Sequence, residues 1–262
     1  MRPMRTFPRR VFTLLTMLAV FAAHEGFAQS RTAKTVRFLS SNLGEATLAI
    51  LLPPGYEGST VRYPVVYLMH GGTQNHTAFP ARSWFNADVA KRGMIVVMPY
   101  LQPFAFQARG GRPAPIEEFL GEDLPKYIDA HYRTVSDRRG RAIAGISMGG
   151  YGATLLGLSH PEMFGAVGAI SAALSLSGCP DGISCLAGIP FTKEPPYFFI
   201  AAGVSDSVLP ANRALDKLLR EHDFPSELRE VPGGHDWSVW DSQVKAFFDA
   251  LAKLPGWGVV NQ

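Results

Sequence analysis

The chain has 262 residues, of which 47% are hydrophobic and 18% are charged. This balance is typical of a globular protein with a full apolar core, and it excludes an intrinsically disordered chain. The formal net charge is +3, but residues 1–28 hold four Arg and one Glu, so the rest of the chain has 21 basic and 21 acidic residues. The charge therefore gives no support to a nucleic-acid or anionic-membrane partner.

The first 28 residues have the pattern of a secretory signal peptide. Four Arg precede an apolar run over residues 11–23, and small residues stand at Gly26 and Ala28. The run is shorter than the roughly 20 residues that a membrane span needs. We therefore predict cleavage after Ala28, export to the periplasm or the medium, and no membrane span in the processed protein. An uncleaved anchor is the alternative.

Strand-like and helix-like segments alternate after an opening hairpin. The strand-like segments are residues 35–38, 46–52, 65–69, 95–98, 141–144, 166–170, 197–201 and 226–231, and several of them are unbroken apolar runs, which suits strands covered on both faces. The helix-like segments are residues 83–91, 117–130, 151–158, 210–220 and 237–251. Ser83 is expected to cap the first helix. The alternation predicts an open, mostly parallel sheet with helices on both faces, in one α/β domain over residues 29–262.

Residues 145–149 read G-I-S-M-G, the G-x-S-x-G pattern of a nucleophile elbow. The pattern is weak by itself, but here it follows a predicted strand and opens a helix of small residues. The glycines remove side chains that would clash in such a strained turn, which lifts the serine oxygen above the carboxyl edge of the sheet. Ser147 is therefore the predicted nucleophile, and a glycine-rich turn with an idle serine is the alternative.

A serine hydroxyl needs a base to take its proton and a carboxylate to orient that base. His235 lies in a glycine-rich turn directly after the last predicted strand, at the same sheet edge as Ser147, and is the predicted base. His160 and His222 fall at the ends of predicted helices, where structural roles are expected.

Asp206 is the predicted acid, because it follows the strand over residues 197–201 at the same sheet edge. Asp181 comes before that strand, Asp236 adjoins the base, and Asp241 falls on the last helix. These three carboxylates are expected to serve in turns or at helix N-termini.

The turn after the strand over residues 65–69 is predicted to form the oxyanion hole together with the residue after the nucleophile. The backbone N–H groups of Gly72 and Met148 are the predicted donors. His70 is expected to hold this loop, since its sequence neighbours are not metal ligands. This chemistry needs neither a metal nor a cofactor.

Cys179 and Cys185 are the two cysteines of the chain. In an exported protein they could close a small disulfide loop, and we predict that bridge. Spacing alone also allows two free thiols.

Five segments occur in an order that resembles the esterase D / feruloyl esterase group of α/β-hydrolases (carbohydrate esterase family 1-like): residues 63–72, 122–124, 144–150, 160–164 and 233–237. That group also includes S-formylglutathione hydrolases and mycobacterial mycolyltransferases. The resemblance implies an α/β-hydrolase fold, with a mostly parallel central sheet, flanking helices and a short cap region. It also implies an acid after the penultimate core strand, where Asp206 lies.

The resemblance implies a serine carboxylic ester hydrolase acting on a small-molecule or carbohydrate-linked ester, with a feruloyl or short-chain acyl group. The short stretch over residues 171–196 leaves the substrate open, and export disfavours the cytosolic S-formylglutathione hydrolase role. Phe104, Phe106 and Trp84 could line an acyl pocket, although packing is the commoner role of such aromatics. An acyltransferase would use the same three catalytic residues, whereas a non-catalytic binding protein would be expected to lack one of them. The sequence does not indicate an oligomeric state.

Overall fold

A computed structural model of the protein describes residues 32–103, 105–106, 114–178, 182–189 and 192–257, without the side chains of Ser177 and Cys185. The predicted signal peptide, Phe104, Cys179 and Asp181 lie outside the described residues. Within the described part of the chain, no helix has the length and apolar character required to cross a membrane.

Eight strands form one sheet in the order β1-β2-β4-β3-β5-β6-β7-β8. They are β1 (Lys34–Ser40), β2 (Gly44–Leu51), β3 (Val65–Met69), β4 (Ile95–Pro99), β5 (Arg141–Ile146), β6 (Ala166–Ile170), β7 (Tyr197–Gly203) and β8 (Ser226–Val231). β1 and β2 pair antiparallel, as do β2 and β4, and the other pairs are parallel. The carboxyl ends of β3 to β8 therefore meet at one edge of the sheet.

Helices cover both faces of this sheet. They are α1 (Phe85–Ala90), α2 (Pro115–Glu118), α3 (Leu124–His131), α4 (Met148–Ser159), α5 (Ser184–Ala187), α6 (Leu209–Glu221) and α7 (Trp237–Leu251). α1 and α7 pack on one face through Phe85 and Phe248. α3, α4 and α6 cover the opposite face through Ile128, Leu156 and Leu215. The predicted architecture, a mostly parallel sheet flanked by helices, is confirmed.

The helix predicted over residues 117–130 is interrupted by a π turn, Phe119–Asp123, which joins α2 to α3. The Leu124 N–H donates to the Phe119 carbonyl, five residues back. Pro125 accounts for this turn, because proline has no N–H and its ring would clash with the carbonyl of Gly121 in a regular α-helix. The turn also brings Gly121 against the ring of His160, so a Cβ at Gly121 would lie 3.0 Å from its Nε2.

The expected cap at Ser83 is wrong. α1 begins after Trp84, whose backbone is already helical and whose side chain makes no capping hydrogen bond. The Phe85 N–H donates to the Arg82 carbonyl at 3.1 Å, so the chain is already turning at Ser83. A capping side chain needs a non-helical residue directly before the first helical turn, and Ser83 does not occupy that position.

Candidate active site

Ser147 stands between β5 and α4 in a strained backbone conformation, with φ 53° and ψ −116°. Positive φ is uncommon for a residue other than glycine and is concentrated at functional sites. The Ser147 N–H donates to the Ile170 carbonyl at 3.0 Å, and its carbonyl accepts from the N–H groups of Tyr151 and Ala173 at 3.0 and 3.1 Å. These hydrogen bonds hold the turn to β6 and to the loop that follows it.

Two glycines allow this turn to pack tightly against the sheet. A Cβ at Gly145 would lie 2.4 Å from the carbonyl carbon of Gly149. A Cβ at Gly149 would lie 2.5 Å from the carbonyl oxygen of Met69. No side chain fits at either position, so both glycines of the G-x-S-x-G pattern are needed for α4 to begin this close to β3 and β5.

The structure brings Ser147, His235 and Asp206 into one hydrogen-bonded chain. The Nε2 atom of His235 lies 2.9 Å from the Oγ atom of Ser147. Its Nδ1 atom lies 3.0 and 2.9 Å from the Oδ1 and Oδ2 atoms of Asp206. The Asp206 side chain is fully buried, whereas the His235 side chain is 34% exposed. In this order the ring can donate from Nδ1 to the carboxylate while Nε2 accepts the serine proton.

The loops that carry Asp206 and His235 pack backbone against backbone. The Asp206 Oδ1 atom accepts from the Val208 N–H at 3.0 Å, which orients the carboxylate. The Ser205 N–H donates to the Gly233 carbonyl at 2.9 Å. A Cβ at Gly203 would lie 2.3 Å from that same carbonyl oxygen, so the contact requires glycine at position 203.

Of the five base and acid candidates with expected structural roles, four fall among the described residues, His160, His222, Asp236 and Asp241, and none of these four belongs to this hydrogen-bonded chain. Asp236 caps α7, and Asp241 pairs with Arg82 at 2.6 Å. His160 and His222 are the C-terminal capping residues of α4 and α6. The positions of His160, His222 and Asp236 agree with the predicted structural and capping roles. Asp241 lies on the last helix as predicted, but it forms its ion pair from within α7 and stands neither in a turn nor at a helix N-terminus.

Gly72 and Met148 line the same cleft as Ser147. A Cβ at Gly72 would be 3.8 Å from the Met148 side chain, so the two predicted oxyanion donors belong to neighbouring turns. The turn that carries Gly72 is fixed by Gln74, whose Oε1 atom accepts from the Gly71 N–H at 3.1 Å.

His70 links the loop after β3 to the loop after β4. The Leu101 N–H donates to the Nε2 atom of His70 at 3.0 Å, so that nitrogen carries no proton. The Nδ1 atom, 2.7 Å from the Gly71 carbonyl oxygen, is then the donor. Burial lowers the pKa of His70, which favours the same neutral ring. The expected loop-holding role agrees with these contacts.

A cleft of about 560 Å³ opens above Ser147, within the range that small-molecule sites occupy. Its apolar walls are Ala173, Leu176 and Trp240. The rings of Trp240 and His235 meet edge to face, with centroids 5.1 Å apart. Among the described residues, no three His, Cys, Asp or Glu side chains are grouped as metal ligands would be.

The suggested aromatic lining of the cleft is wrong for two residues. Phe106 is buried against Tyr151, and Trp84 packs against Phe85. Neither lines the cleft, and both follow the packing alternative, whereas Phe104 lies outside the described residues. The aromatic wall is instead Trp240, which the sequence analysis missed. Its position in the first turn of α7, directly after the predicted base, is the signal that could have identified it.

Comparison with known proteins gives consistent matches. The Esterase family model matches residues 40–198. An endo-1,4-beta-xylanase/feruloyl esterase of Xylanibacter ruminicola is 30% identical over 234 residues, covering 83% of this chain and 31% of that protein. The esterase Rv1288 of Mycobacterium tuberculosis is 28% identical over 258 residues, covering 76% of this chain and 54% of that protein. The chain thus spans about a third to a half of these curated relatives.

A solved structure of a ferulic acid esterase has a TM-score of 0.73 and 26% sequence identity, covering 85% of this chain and 98% of that one. The α/β-hydrolase fold and the resemblance to the feruloyl esterase group are therefore confirmed. Because the family model matches more than half of the residues, the chain belongs to the Esterase family.

Proposed function

We propose that the protein is an exported serine carboxylic ester hydrolase that acts through Ser147, His235 and Asp206. The observation that carries this proposal is the continuous hydrogen-bond chain from the buried Asp206 carboxylate through His235 to a serine on a strained turn. Membership of the Esterase family supports the same reaction class.

In the proposed reaction Ser147 Oγ attacks the ester carbonyl carbon, and His235 Nε2 takes the serine proton. The ring then protonates the leaving alcohol, while Asp206 holds the tautomer and stabilises the imidazolium. The N–H groups of Gly72 and Met148 donate to the oxyanion, and the loss of one such donor typically lowers the rate by about a hundred- to a thousandfold. Water then attacks the acyl-enzyme, releasing the acid and restoring the serine. The reaction needs no cofactor.

The proposed substrate is a small-molecule or carbohydrate-linked ester. The apolar cleft walls Ala173, Leu176 and Trp240 suit a feruloyl or short-chain acyl group. The two relatives named as feruloyl or ferulic acid esterases favour the aromatic acyl group. An acyltransferase would use the same three residues and differ only in the acceptor that clears the acyl-enzyme.

Hydrolysis of p-nitrophenyl acetate and methyl ferulate by the purified protein, beside Ser147→Ala, tests this function. We expect activity that disappears in Ser147→Ala, and the ratio of the two rates indicates the acyl group. An ester product formed from an added sugar acceptor, in place of free acid, would identify an acyltransferase. A folded wild-type protein inactive on both esters, or an active Ser147→Ala variant, would contradict the proposal.

Export is proposed on the signal-peptide pattern of residues 1–28. Mass spectrometry of the protein recovered outside the cytoplasm should find Gln29 as its first residue. Protein that keeps residues 1–28 and stays with the membrane would favour the uncleaved anchor.

A Cys179–Cys185 bridge is proposed with export, because oxidising compartments preserve disulfides. The backbone of Cys185 belongs to the short helix α5, whereas Cys179 lies outside the described residues. Thiol titration of denatured, unreduced protein should find none. Two reactive thiols would reject the bridge.

A further inference from the structure

A second groove, of about 280 Å³, adjoins the catalytic cleft. Pro103 lines both the groove and the cleft. This second groove is lined by the turn between β1 and β2, the start of β2, the chain after β4 and the start of α2, including Asn42, Glu45, Thr47, Tyr100, Gln102 and Pro115. A substrate held at Ser147 can therefore extend past Pro103 into the second groove, which has a different lining.

The walls of this groove mix polar and apolar side chains and are more polar than those of the catalytic cleft. Asn42 and Gln102 present amides, which both donate and accept hydrogen bonds, and Thr47 contributes a hydroxyl. Tyr100 is 40% exposed, although the large hydrophobic side chains of this protein are mostly buried. Glu45 is the one charged group among the described lining residues.

The Tyr100 ring is supported from behind. Its centroid lies 6.0 Å from the His70 ring and 6.3 Å from the His76 ring, which meets it edge on. Its backbone N–H donates to the Thr47 carbonyl at 2.8 Å, which continues the pairing of β2 with β4. The exposed aromatic surface is thus held in place rather than free to collapse onto the protein.

The part of the wall that includes Asn42 is fixed by Asp123. Its carboxylate accepts from the hydroxyl groups of Ser40 and Ser41 at 2.5 and 2.7 Å, and from the Asn42 N–H at 3.0 Å. These bonds hold the turn between β1 and β2 and thereby place the Asn42 side chain beside the groove. Asp123 is a positioning residue for this wall.

We propose that this groove binds the sugar that carries the ester, while the acyl group lies in the catalytic cleft; the inference rests on the proposed function. A sugar ring has an apolar C–H face that packs on an aromatic ring, and hydroxyl groups that pair with amides. The apolar walls around Ser147 suit the acyl group, so the groove with the amides and the exposed Tyr100 ring is assigned to the alcohol side. No Lys or Arg stands among the described residues that line either space, and the Glu45 carboxylate is paired with Arg37 at 4.0 Å, so neither lining supplies a cation for an anionic leaving group.

Paired esters with the same acyl group test this inference. The pair is methyl ferulate and a feruloylated arabinose–xylose oligosaccharide. Tyr100→Ala and Asn42→Ala should each lower kcat/KM on the oligosaccharide ester about tenfold, mainly through KM, and leave methyl ferulate within about twofold. Leu39→Ala removes another exposed hydrophobic side chain, on β1 and outside the groove, and should change neither rate.

Equal losses of kcat/KM on both esters in Tyr100→Ala and Asn42→Ala, or no loss on either ester, would overturn the proposal that this groove binds the sugar. A wild-type protein that hydrolyses neither ester would instead contradict the proposed function. Titration calorimetry of the unesterified oligosaccharide with the full chain separates the two failures, because it needs no turnover. Saturable binding of the oligosaccharide to the wild-type protein, weakened in Tyr100→Ala, supports the proposed sugar site. Absence of saturable binding to the wild-type protein overturns it.

Discussion

Two carboxylates lie beside the base, and their surroundings give them different roles. Asp206 is buried and accepts from His235. Asp236 is exposed, and hydrogen bonds from the hydroxyl and N–H groups of Ser238 hold its pKa below the usual range. Asp236 therefore stays ionised as the cap of α7. The carboxylate that pairs with His235 is the one that follows a strand end, Asp206, and not the one nearest to His235 in sequence, Asp236.

Asp206→Asn should lower kcat by about three to four orders of magnitude, because an amide cannot hold the same imidazole tautomer. The measurement is ester hydrolysis at saturating substrate, with circular dichroism to show an intact fold. Asp236→Asn is the matched control, since asparagine also caps helices, and it should remain near wild type. Near-wild-type turnover by Asp206→Asn together with an inactive Asp181→Asn would show that the acid assignment is wrong.

His70 should make the stability of the protein fall between neutral and mildly acidic pH. Burial lowers the pKa of His70, so the unfolded chain binds that proton more readily than the folded protein does. Its contribution is complete above the unfolded pKa of about 6.5 and is lost as pH falls towards the lower, folded value.

Urea unfolding of the wild type and His70→Gln at several pH values checks this pH dependence. The free energy of unfolding should decline less steeply below pH ~6.5 in His70→Gln. Burial also lowers the pKa of His76, so His76→Gln separates the contributions of the two rings. Identical slopes for the wild type and His70→Gln would show that His70 does not carry the effect.

At the scale of the elements, the sequence predicts strands better than the junctions between segments. The bounds of β3, β6, β8 and α7 match their predicted ranges, because each is a distinct run bounded by turn residues. The π turn Phe119–Asp123 was missed, although Pro125 was a visible reason to expect a break. The Ser83 cap failed because the backbone turns earlier than the residue type suggests. Hydrogen-bond patterns at such junctions depend on packing that a sequence pattern does not contain.

Gly203→Ala should separate the acid loop from the base loop. The added Cβ would lie 2.3 Å from the Gly233 carbonyl oxygen, so one of the two loops must move. We expect a loss of about 1–3 kcal/mol in the free energy of unfolding, together with a drop in kcat of at least about tenfold, because the His235–Asp206 contact spans these loops.

Chemical denaturation and ester hydrolysis test Gly203→Ala together. Gly58→Ala is the matched control, because a Cβ at Gly58 meets no atom within 4 Å. It should leave both the free energy of unfolding and kcat unchanged. A fully active Gly203→Ala variant would show that the contact between the loops does not position the base.

At the scale of the whole molecule, the parallel strands separate a functional edge from a stabilising one. Ser147, Asp206 and His235 follow β5, β7 and β8 at the carboxyl edge, and this much is predictable from strand ends. The catalytic cleft and the second groove are not predictable in this way, because their walls combine segments far apart in sequence, such as those of Asn42, Pro103 and Leu176. No local pattern marks residues that meet only through the topology of the sheet.

The opposite edge carries a partly buried ion pair at the start of β5. Arg141 is 4% exposed and Asp129 26% exposed, and their side chains meet at 2.6 Å. The Arg141 guanidinium also donates to the Ser136 carbonyl at 3.0 Å, and the Asp129 carboxylate accepts from Thr134 at 2.7 Å. This network ties α3 to the strand whose far end holds Ser147.

Asp129→Ala should therefore lower the free energy of unfolding without lowering kcat. Removing the carboxylate leaves the buried Arg141 guanidinium without its counter-ion. Loss of one partner from a fully buried pair typically destabilises by about 3–5 kcal/mol, which is an upper bound here because Asp129 is 26% exposed and Arg141 still donates to the Ser136 carbonyl. Turnover at 25 °C should stay within about twofold of wild type, because β5 remains paired on both sides. Glu122→Ala breaks an exposed ion pair with Lys126 and should leave the free energy of unfolding nearly unchanged. A loss of kcat in folded Asp129→Ala would mean that strain at the amino end of β5 reaches the serine, and that the two edges of the sheet are coupled.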